Sequence, residues 1–310
     1  MARRRYTRWD GYRWRARRGW RAWVVYPLQW LLAWPPYKLM CALPLDVASG
    51  IAGGLARRLG PWSKASRRIE RNLRHVFPEI DATEVKRIVA GVWDNFARIG
   101  PDYWHLERFR DPAGGRLEIV GGEHLDALRD DRRPGLLFGG HLANWEMITL
   151  AARRHELPLA VVYRELNNPL IDAYVRRIQR SSGVELIRKG RAGARRLGQV
   201  LNAGGHTVML VDVRLNEGIP VPFLGRAAMT PPALAHLALK YDAPLVPVRV
   251  ERLAGARFRV TVEPPLMPPD SGDRRADAHT LMTRVNARLE AWIRARPEQW
   301  LWIHQRWGKL

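Results

Sequence analysis

Cysteine is almost absent: Cys41 is the single one in 310 residues. No disulfide can close within the chain, which fits a reducing compartment, and a Cys-rich zinc site is excluded. Other short signatures of chemistry are missing as well. There is no His-Glu-x-x-His zinc pair, no phosphate-binding P-loop and no Gly-x-Ser-x-Gly nucleophile elbow. The stretch GLLFGGH lacks the G-x-G-x-x-G spacing of a dinucleotide loop. The Asp, Glu and His residues assemble no obvious metal set, and no internal repeat is visible. Acidic residues are few: 30 Asp and Glu stand against 52 Lys and Arg, a net charge of +22. That imbalance points to an anionic partner, whether nucleic acid, anionic lipid headgroups or an acidic protein.

A clean transmembrane helix of about 20 apolar residues is also lacking. The candidate, AWVVYPLQWLLAWPPYKLMCALPL, is broken by Pro27, Pro35, Pro36 and Lys38. It follows a long basic arm in which Arg3, Arg4, Arg5, Arg8, Arg13, Arg15, Arg17, Arg18 and Arg21 alternate with aromatics. No small-residue cleavage site closes the apolar stretch, which argues against a cleaved signal peptide. Trp20, Trp23, Trp30 and Trp34 suit the headgroup level, and the Arg cluster suits the cytoplasmic side and anionic lipid. The segment spans with a kink, lies in the interface, or is a basic arm followed by a buried helix. An arm that binds RNA is the competing use of interleaved Arg and aromatics.

What is present is a globular composition, 46% hydrophobic and 26% charged, with 14 Trp. Residues 1–46 are taken as basic arm and hydrophobic anchor, and residues 47–310 as the main domain. Helical periodicity governs residues 47–110, where Asp81 or Thr83 is the expected N-cap of the stretch ending in PDYW. From about residue 115 short apolar runs alternate with helical stretches, and APLVPVRVERL and RFRVTVEPPL look like paired strands. A long amphipathic helix is expected from Asp277 to Arg296. The alternation predicts an α/β fold: a mixed, partly parallel central sheet flanked by helices, preceded by a helical anchor. In such sheets ligands sit where strands end and helices begin.

One strand end carries chemistry. LLFGGHLANWEM runs from apolar residues through Gly139 and Gly140 to His141, with Glu146 five residues on. On one helix the two would be rotated about 140° apart. They meet only if His141 sits in the loop and Glu146 in the first helical turn. Glu146 on one ring nitrogen would then fix the tautomer, leaving the other to take a proton from a hydroxyl. The spacing alone does not choose between that and a strand-end His bonded locally. Arg164, Arg226, and Asp212 with Arg214, also close apolar runs, as an anion-holding pocket would require.

In chain order, RNLRHVFPEI, GGHLANWE, VVYRELNNPLID, VPFLGRAAMTPPALAHLAL and PEQWLWIHQRW resemble the blocks of the bacterial lipid A late acyltransferases. These are the lauroyl/myristoyl transferases within the wider lysophospholipid acyltransferase group, and the resemblance covers nearly the whole chain. It implies an enzyme on the cytoplasmic face of the bacterial inner membrane, held by its N-terminal segment. The reaction implied moves a fatty acyl group from acyl carrier protein, or acyl-CoA, to a hydroxyl of a lipid A precursor or related glycolipid. A lysophospholipid or other polar-lipid acceptor would need the same chemistry. No bound cofactor, metal or nucleic acid is implied; the partners are anionic membrane lipid, acyl carrier protein and the glycolipid. His141 matches the catalytic base and Glu146 its acidic partner, while Arg164, Asp212, Arg226 and Asn144 are the substrate-binding candidates. Val213 stands where the family pattern has Gln after Asp, and Ala143 where it has Gly.

Overall fold

The structure, a computed structural model, describes residues 19–163, 165–181 and 183–308. A π-helical turn, Arg21–Val25, leads into α1 (Tyr26–Ala42), and Leu43 and Pro44 separate it from α2 (Leu45–Leu59). α3 (Ser66–Val76) and α4 (Ala82–Trp104) follow. Asp81 caps α4 as expected, its Oδ1 accepting from the N–H groups of Thr83 and Glu84 at 2.7 and 2.8 Å.

Strands and helices then alternate. β1 (Leu117–Val120), α5 (Glu123–Asp130), β2 (Gly135–Gly139) and α6 (Met147–Arg154) come first. β3 (Leu159–Tyr163), α7 (Pro169–Ser181), β4 (Glu185–Arg188), α8 (Arg191–Asn202) and β5 (His206–Leu210) continue the pattern. A hairpin of β6 (Ile219–Phe223) and β7 (Arg226–Thr230) interrupts it before α9 (Ala233–Tyr241), β8 (Leu245–Arg252), β9 (Phe258–Val262) and α10 (Arg274–Ala295). Asp273 caps α10, so that helix starts three residues before the expected Asp277.

Seven strands form one sheet in the order β1-β9-β8-β2-β5-β3-β4. β2 pairs in parallel with β5 and β8, and β3 in parallel with β4 and β5. β8 and β9 are antiparallel, as their paired apolar runs suggested, so the sheet is mixed and mostly parallel. β2 is buried along its whole length, as a strand covered on both faces must be. Alternation sends Leu136 and Phe138 to the core shared with α3, α4, α9 and α10, and Leu137 to the core beneath α5 and α6.

The hairpin was not expected. Pro220 and Pro222 argue against a strand, but β6 pairs only with β7, so their missing N–H groups cost no ladder bond on the outer edge. Its turn places Leu224 and Gly225 at φ 52° and 75°, the positive values of a two-residue hairpin loop.

The region expected to be an anchor folds back on the body. α1 continues through Pro35 and Pro36, buries no residue fully, and rests its Tyr37 ring on Trp104 and Tyr174 at 5.4 and 5.2 Å. Among the described residues no helix is long and apolar enough to cross a membrane. The basic arm through Arg18 lies outside the described residues.

The Asp81 cap supplies the fold's simplest test. Asp81→Ala leaves two N–H groups of α4 without their acceptor and should lower stability by about 1 kcal/mol in urea denaturation.

Candidate functional site

β2 and β5 are neighbours and parallel, so their C-terminal ends open at the same edge of the sheet. His141 follows β2 and Asp212 follows β5. Both oxygens of Asp212 are engaged there. Oδ1 accepts from His141 Nδ1 at 2.8 Å; Oδ2 accepts from the His141 backbone N–H and from Trp300 Nε1, each at 2.8 Å. Asp212 is wholly buried, whereas the His141 side chain remains 18% exposed. The carboxylate is therefore reached only through the ring, and the ring is reachable from outside. With the proton on Nδ1 held by Asp212, Nε2 keeps its lone pair.

The glycines before His141 are there for space. A Cβ on Gly140 would stand 3.1 Å from Leu289 Cδ2 and 3.4 Å from Asp212 Oδ2, and one on Gly139 would stand 3.0 Å from the Val248 carbonyl oxygen. The next turn needs a left-handed residue, and Ala143 supplies it at φ 48°. This is the position at which the family pattern has glycine.

The C-terminal block closes over this loop. Ala143 N–H donates to the Gln299 carbonyl at 2.9 Å and Leu301 N–H to the His141 carbonyl at 3.2 Å. Beneath it lies a buried polar network. Arg252 NH2 donates to Asp102 at 2.5 Å, and its Nε donates to Asn95 Oδ1 at 3.1 Å. Asn95 Nδ2 in turn reaches the carbonyls of Ala143 and Gln299 at 3.4 and 3.3 Å.

The carboxylate on the His141 ring is thus Asp212, where the sequence reading had placed Glu146. Glu146 is the residue just before α6, and its backbone N–H is held by Asn144 Oδ1 at 3.2 Å. Its side chain turns to Gln179, whose Nε2 donates to Oε1 at 3.2 Å, with Tyr103 alongside. Asn144 is completely buried, its amide nitrogen 3.5 Å from Asp102. It shapes the turn from inside. Arg226 stands exposed at the β6–β7 turn near His75 and does not line the cleft at His141. Arg164 lies outside the described residues.

His141 and Glu146 nevertheless share a cleft of about 440 Å³, within the range of ligand pockets. Its walls are mainly apolar, with Val161, Val208, Leu210 and Val213 among them, and Lys189 stands on its rim. Among the described residues no group of His, Cys, Asp and Glu could hold a metal ion. Trp300, His304, Gln179, Tyr103 and Lys189 were not singled out from sequence. Trp300 and His304 lie inside PEQWLWIHQRW.

The electrostatics favour a proton acceptor. Burial works against a charged His141, but the charge and hydrogen bond of Asp212 outweigh it and hold the ring's pKa above its ordinary value. Burial likewise opposes the Asp212 charge, and the His141 ring overrides it, keeping the carboxyl well below the carboxylate range. Glu146 goes the other way: burial raises its pKa despite Gln179 and Tyr103. His304, whose ring lies 5.2 Å from that of His141, is held low by burial and by His141. A base with a fixed tautomer beside an apolar cleft can deprotonate a hydroxyl held next to a fatty chain.

A family model described as bacterial lipid A biosynthesis acyltransferase matches residues 15–309. The chain is 27% identical over 305 residues to the lipid A biosynthesis lauroyltransferase of Escherichia coli K12, covering 93% of this chain and 92% of that one. It is 26% identical over 283 residues to the phosphatidylinositol mannoside acyltransferase of Mycolicibacterium smegmatis, covering 87% and 88%. The lipid A biosynthesis myristoyltransferase of E. coli is 25% identical over 294 residues, with 92% and 86% covered.

Asp212→Asn tests the electrostatics without any assay of turnover. Asp212 is what raises the His141 pKa, and burial alone lowers it. Histidine-selective NMR titration should therefore find the ring titrating above the ordinary histidine value in the wild type and below it in the variant. An unchanged titration would remove Asp212 as the cause.

Proposed function

The chain belongs to the bacterial lipid A biosynthesis acyltransferase family and transfers acyl groups, and from that premise we propose its substrates and mechanism. It moves a fatty acyl group from a thioester donor, acyl carrier protein or acyl-CoA, to a hydroxyl of a lipid A precursor or related glycolipid. The work is done at the cytoplasmic face of the inner membrane. The observation that carries the reading is the His141–Asp212 pair at the wall of an apolar cleft.

In this mechanism His141 Nε2 takes the proton of the acceptor hydroxyl while the oxygen attacks the thioester carbonyl. The tetrahedral intermediate collapses to the ester, the carbon–sulfur bond breaks, and the departing thiolate takes the proton from the imidazolium. Asp212 stabilises that imidazolium and keeps Nδ1 protonated. No acyl-enzyme is needed, so Cys41 has no part in it. The oxyanion needs donors from outside the loop, since the N–H groups of His141, Leu142 and Ala143 are already spent on Asp212, Gly140 and Gln299. Lys189, on the rim of the cleft, is the cation assigned to that charge, and Arg164 is assigned to an acceptor phosphate. Arg226 is kept for a phosphate on a larger acceptor. Glu146 acts through position, joining the His141 loop to α7 through Gln179, and Asn144 acts within the turn.

A glycolipid acceptor fits relatives whose names cover both lipid A and a mannolipid. Val213 puts an aliphatic wall where the family pattern has an amide, which favours chain over headgroup at that point of the cleft.

Purified protein given an acyl thioester and a lipid A precursor should yield a product heavier by one acyl group in mass spectrometry. His141→Ala should slow the reaction by about 10³-fold, the scale of a lost general base. Glu146→Gln, which keeps the hydrogen bond to Gln179 possible, should cost less than about tenfold. In the wild type, kcat/KM should rise with pH as His141 loses its proton. Comparing the lipids of cells with and without the gene tests the acceptor: unchanged lipid A with altered mannolipid or phospholipid would overturn the acceptor and spare the chemistry.

A further inference from the structure

The exposed large apolar side chains are unevenly spread. Most of them lie between Trp20 and Phe96, on the helices before the first strand. Part of this belongs to α1, which presents Leu28, Leu31, Leu32 and Leu39. α2 carries a second set that the sequence reading had assigned to the body of the domain. Its inner face, Leu45, Ala48, Ser49 and Gly53, packs on α4. A Cβ on Gly53 would stand 2.5 Å from Arg98 Nε, so the two helices lie close together. On its outer face Val47, Ile51, Leu55 and Leu59 recur every four residues, each exposed, and Gly50 and Gly54 open onto empty space beside them. Four such residues cover about 18 Å of helix. The ridge ends at Trp62, which is 83% exposed.

The chain beyond Trp62 changes from apolar to basic. Lys64, Arg67, Arg71 and Arg74 are all exposed; the spacing of Arg67, Arg71 and Arg74 puts them in one row on α3, and Lys64 stands in the turn before it. None of the ion pairs in the described residues engages them, although Glu70 stands exposed among them. Arg57 and Arg58 add charge at the end of α2, also exposed. The result is an apolar ridge with an indole at its end and a cationic row beyond. That is the profile of a helix lying in the headgroup–acyl boundary of an anionic bilayer. A protein partner would meet a narrow ridge between glycines, with little shape to grip.

We propose that α2 and α3 form a second membrane-contact surface beside α1. Val47, Ile51, Leu55, Leu59 and Trp62 enter the boundary region of an anionic leaflet, and Lys64, Arg67, Arg71 and Arg74 lie on its phosphates. The proposal rests on the membrane reading of the previous section and specifies how the protein sits: on one leaflet, by surface helices. α4 links this surface to the catalytic loop. α2 lies along α4, and Phe96 of α4, itself exposed, lines a narrow crevice with Ile99, Trp145, Leu301 and His141.

The test uses the full chain and vesicles of phosphatidylcholine with or without phosphatidylglycerol. Each basic residue near an anionic leaflet is worth about fivefold in partitioning, so Arg67→Glu with Arg71→Glu should lower flotation with anionic vesicles by more than about tenfold. Ile51→Asp with Leu55→Asp should lower it on both vesicle types. Turnover of a detergent-dispersed acceptor should be unchanged in both variants, because neither pair touches the cleft. A Leu55→Cys variant in a Cys41→Ser background, labelled with a polarity-sensitive dye, should shift its emission to the blue when vesicles are added. If the dye does not shift and both double variants float like the wild type, the proposal fails. If Leu31→Asp with Leu32→Asp then abolishes flotation, α1 is the sole contact and the membrane reading stands. A wild type that binds no vesicle overturns the membrane reading itself. Retained flotation of the Arg67/Arg71 variant with lost binding to acidic acyl carrier protein would make α3 a carrier dock and overturn the proposal.

Discussion

One carboxylate organises the edge of the sheet where the candidate site lies. Asp212 is fully buried, and an anion there is tolerable only if its oxygens are satisfied. The donors come from three places: the backbone of the loop after β2, the ring of His141, and the indole of Trp300 near the C-terminus. These three hydrogen bonds hold two neighbouring strands and the final segment together at one point. They also set the chemistry, because the bond that satisfies Asp212 is the bond that orients His141. In the proposed mechanism, structural need and catalytic need are met by the same atoms.

The loop is held equally firmly from below. Asn144 reaches Asp102, Asp102 pairs with Arg252, and Arg252 binds Asn95, which returns to the carbonyls of Ala143 and Gln299. Such a network is costly to bury and most destabilising when half satisfied. Here each member has a partner across a different element, so the turn at Ala143 keeps its left-handed residue without a glycine to ease it. An L-residue costs about 1 kcal/mol in that conformation, and the surrounding bonds are numerous enough to hold it.

Much of this was legible in the residues, and the reasons for the rest are physical. Strand–helix alternation announces a largely parallel sheet because the two periodicities differ, and Asp81 announces a helix start because its side chain has local donors to satisfy. His141 is visible as a strand-end histidine after two glycines. Its partner is not, because the pairing depends on strand order: β5 lies beside β2 although about 70 residues separate His141 from Asp212. Local spacing therefore favoured Glu146, which the helix start turns toward Gln179. The β6–β7 hairpin was hidden by prolines that only an unpaired edge tolerates. Asn144 looked like a polar group available to substrate because a sequence does not reveal which side of a turn is buried.

The charge of +22 takes on a more definite meaning once it is divided by place. Some of the arginines are internal struts: Arg252 and Arg306 are buried and bound to carboxylate, carbonyl or hydroxyl oxygens. Others pair across the surface with Asp or Glu, as Arg116 does with Asp46 and Arg196 with Glu185. Of the exposed cations outside any ion pair among the described residues, Lys64, Arg67, Arg71 and Arg74 stand together beyond the ridge of α2, while others, Arg191, Arg195, Arg274 and Arg275 among them, lie elsewhere on the surface. The row on α3 differs from the rest in its neighbours, the exposed apolar side chains of α2 and the Trp62 indole. A surface shaped by an anionic leaflet would place it there, since the cations must lie at phosphate depth while the apolar side chains go deeper.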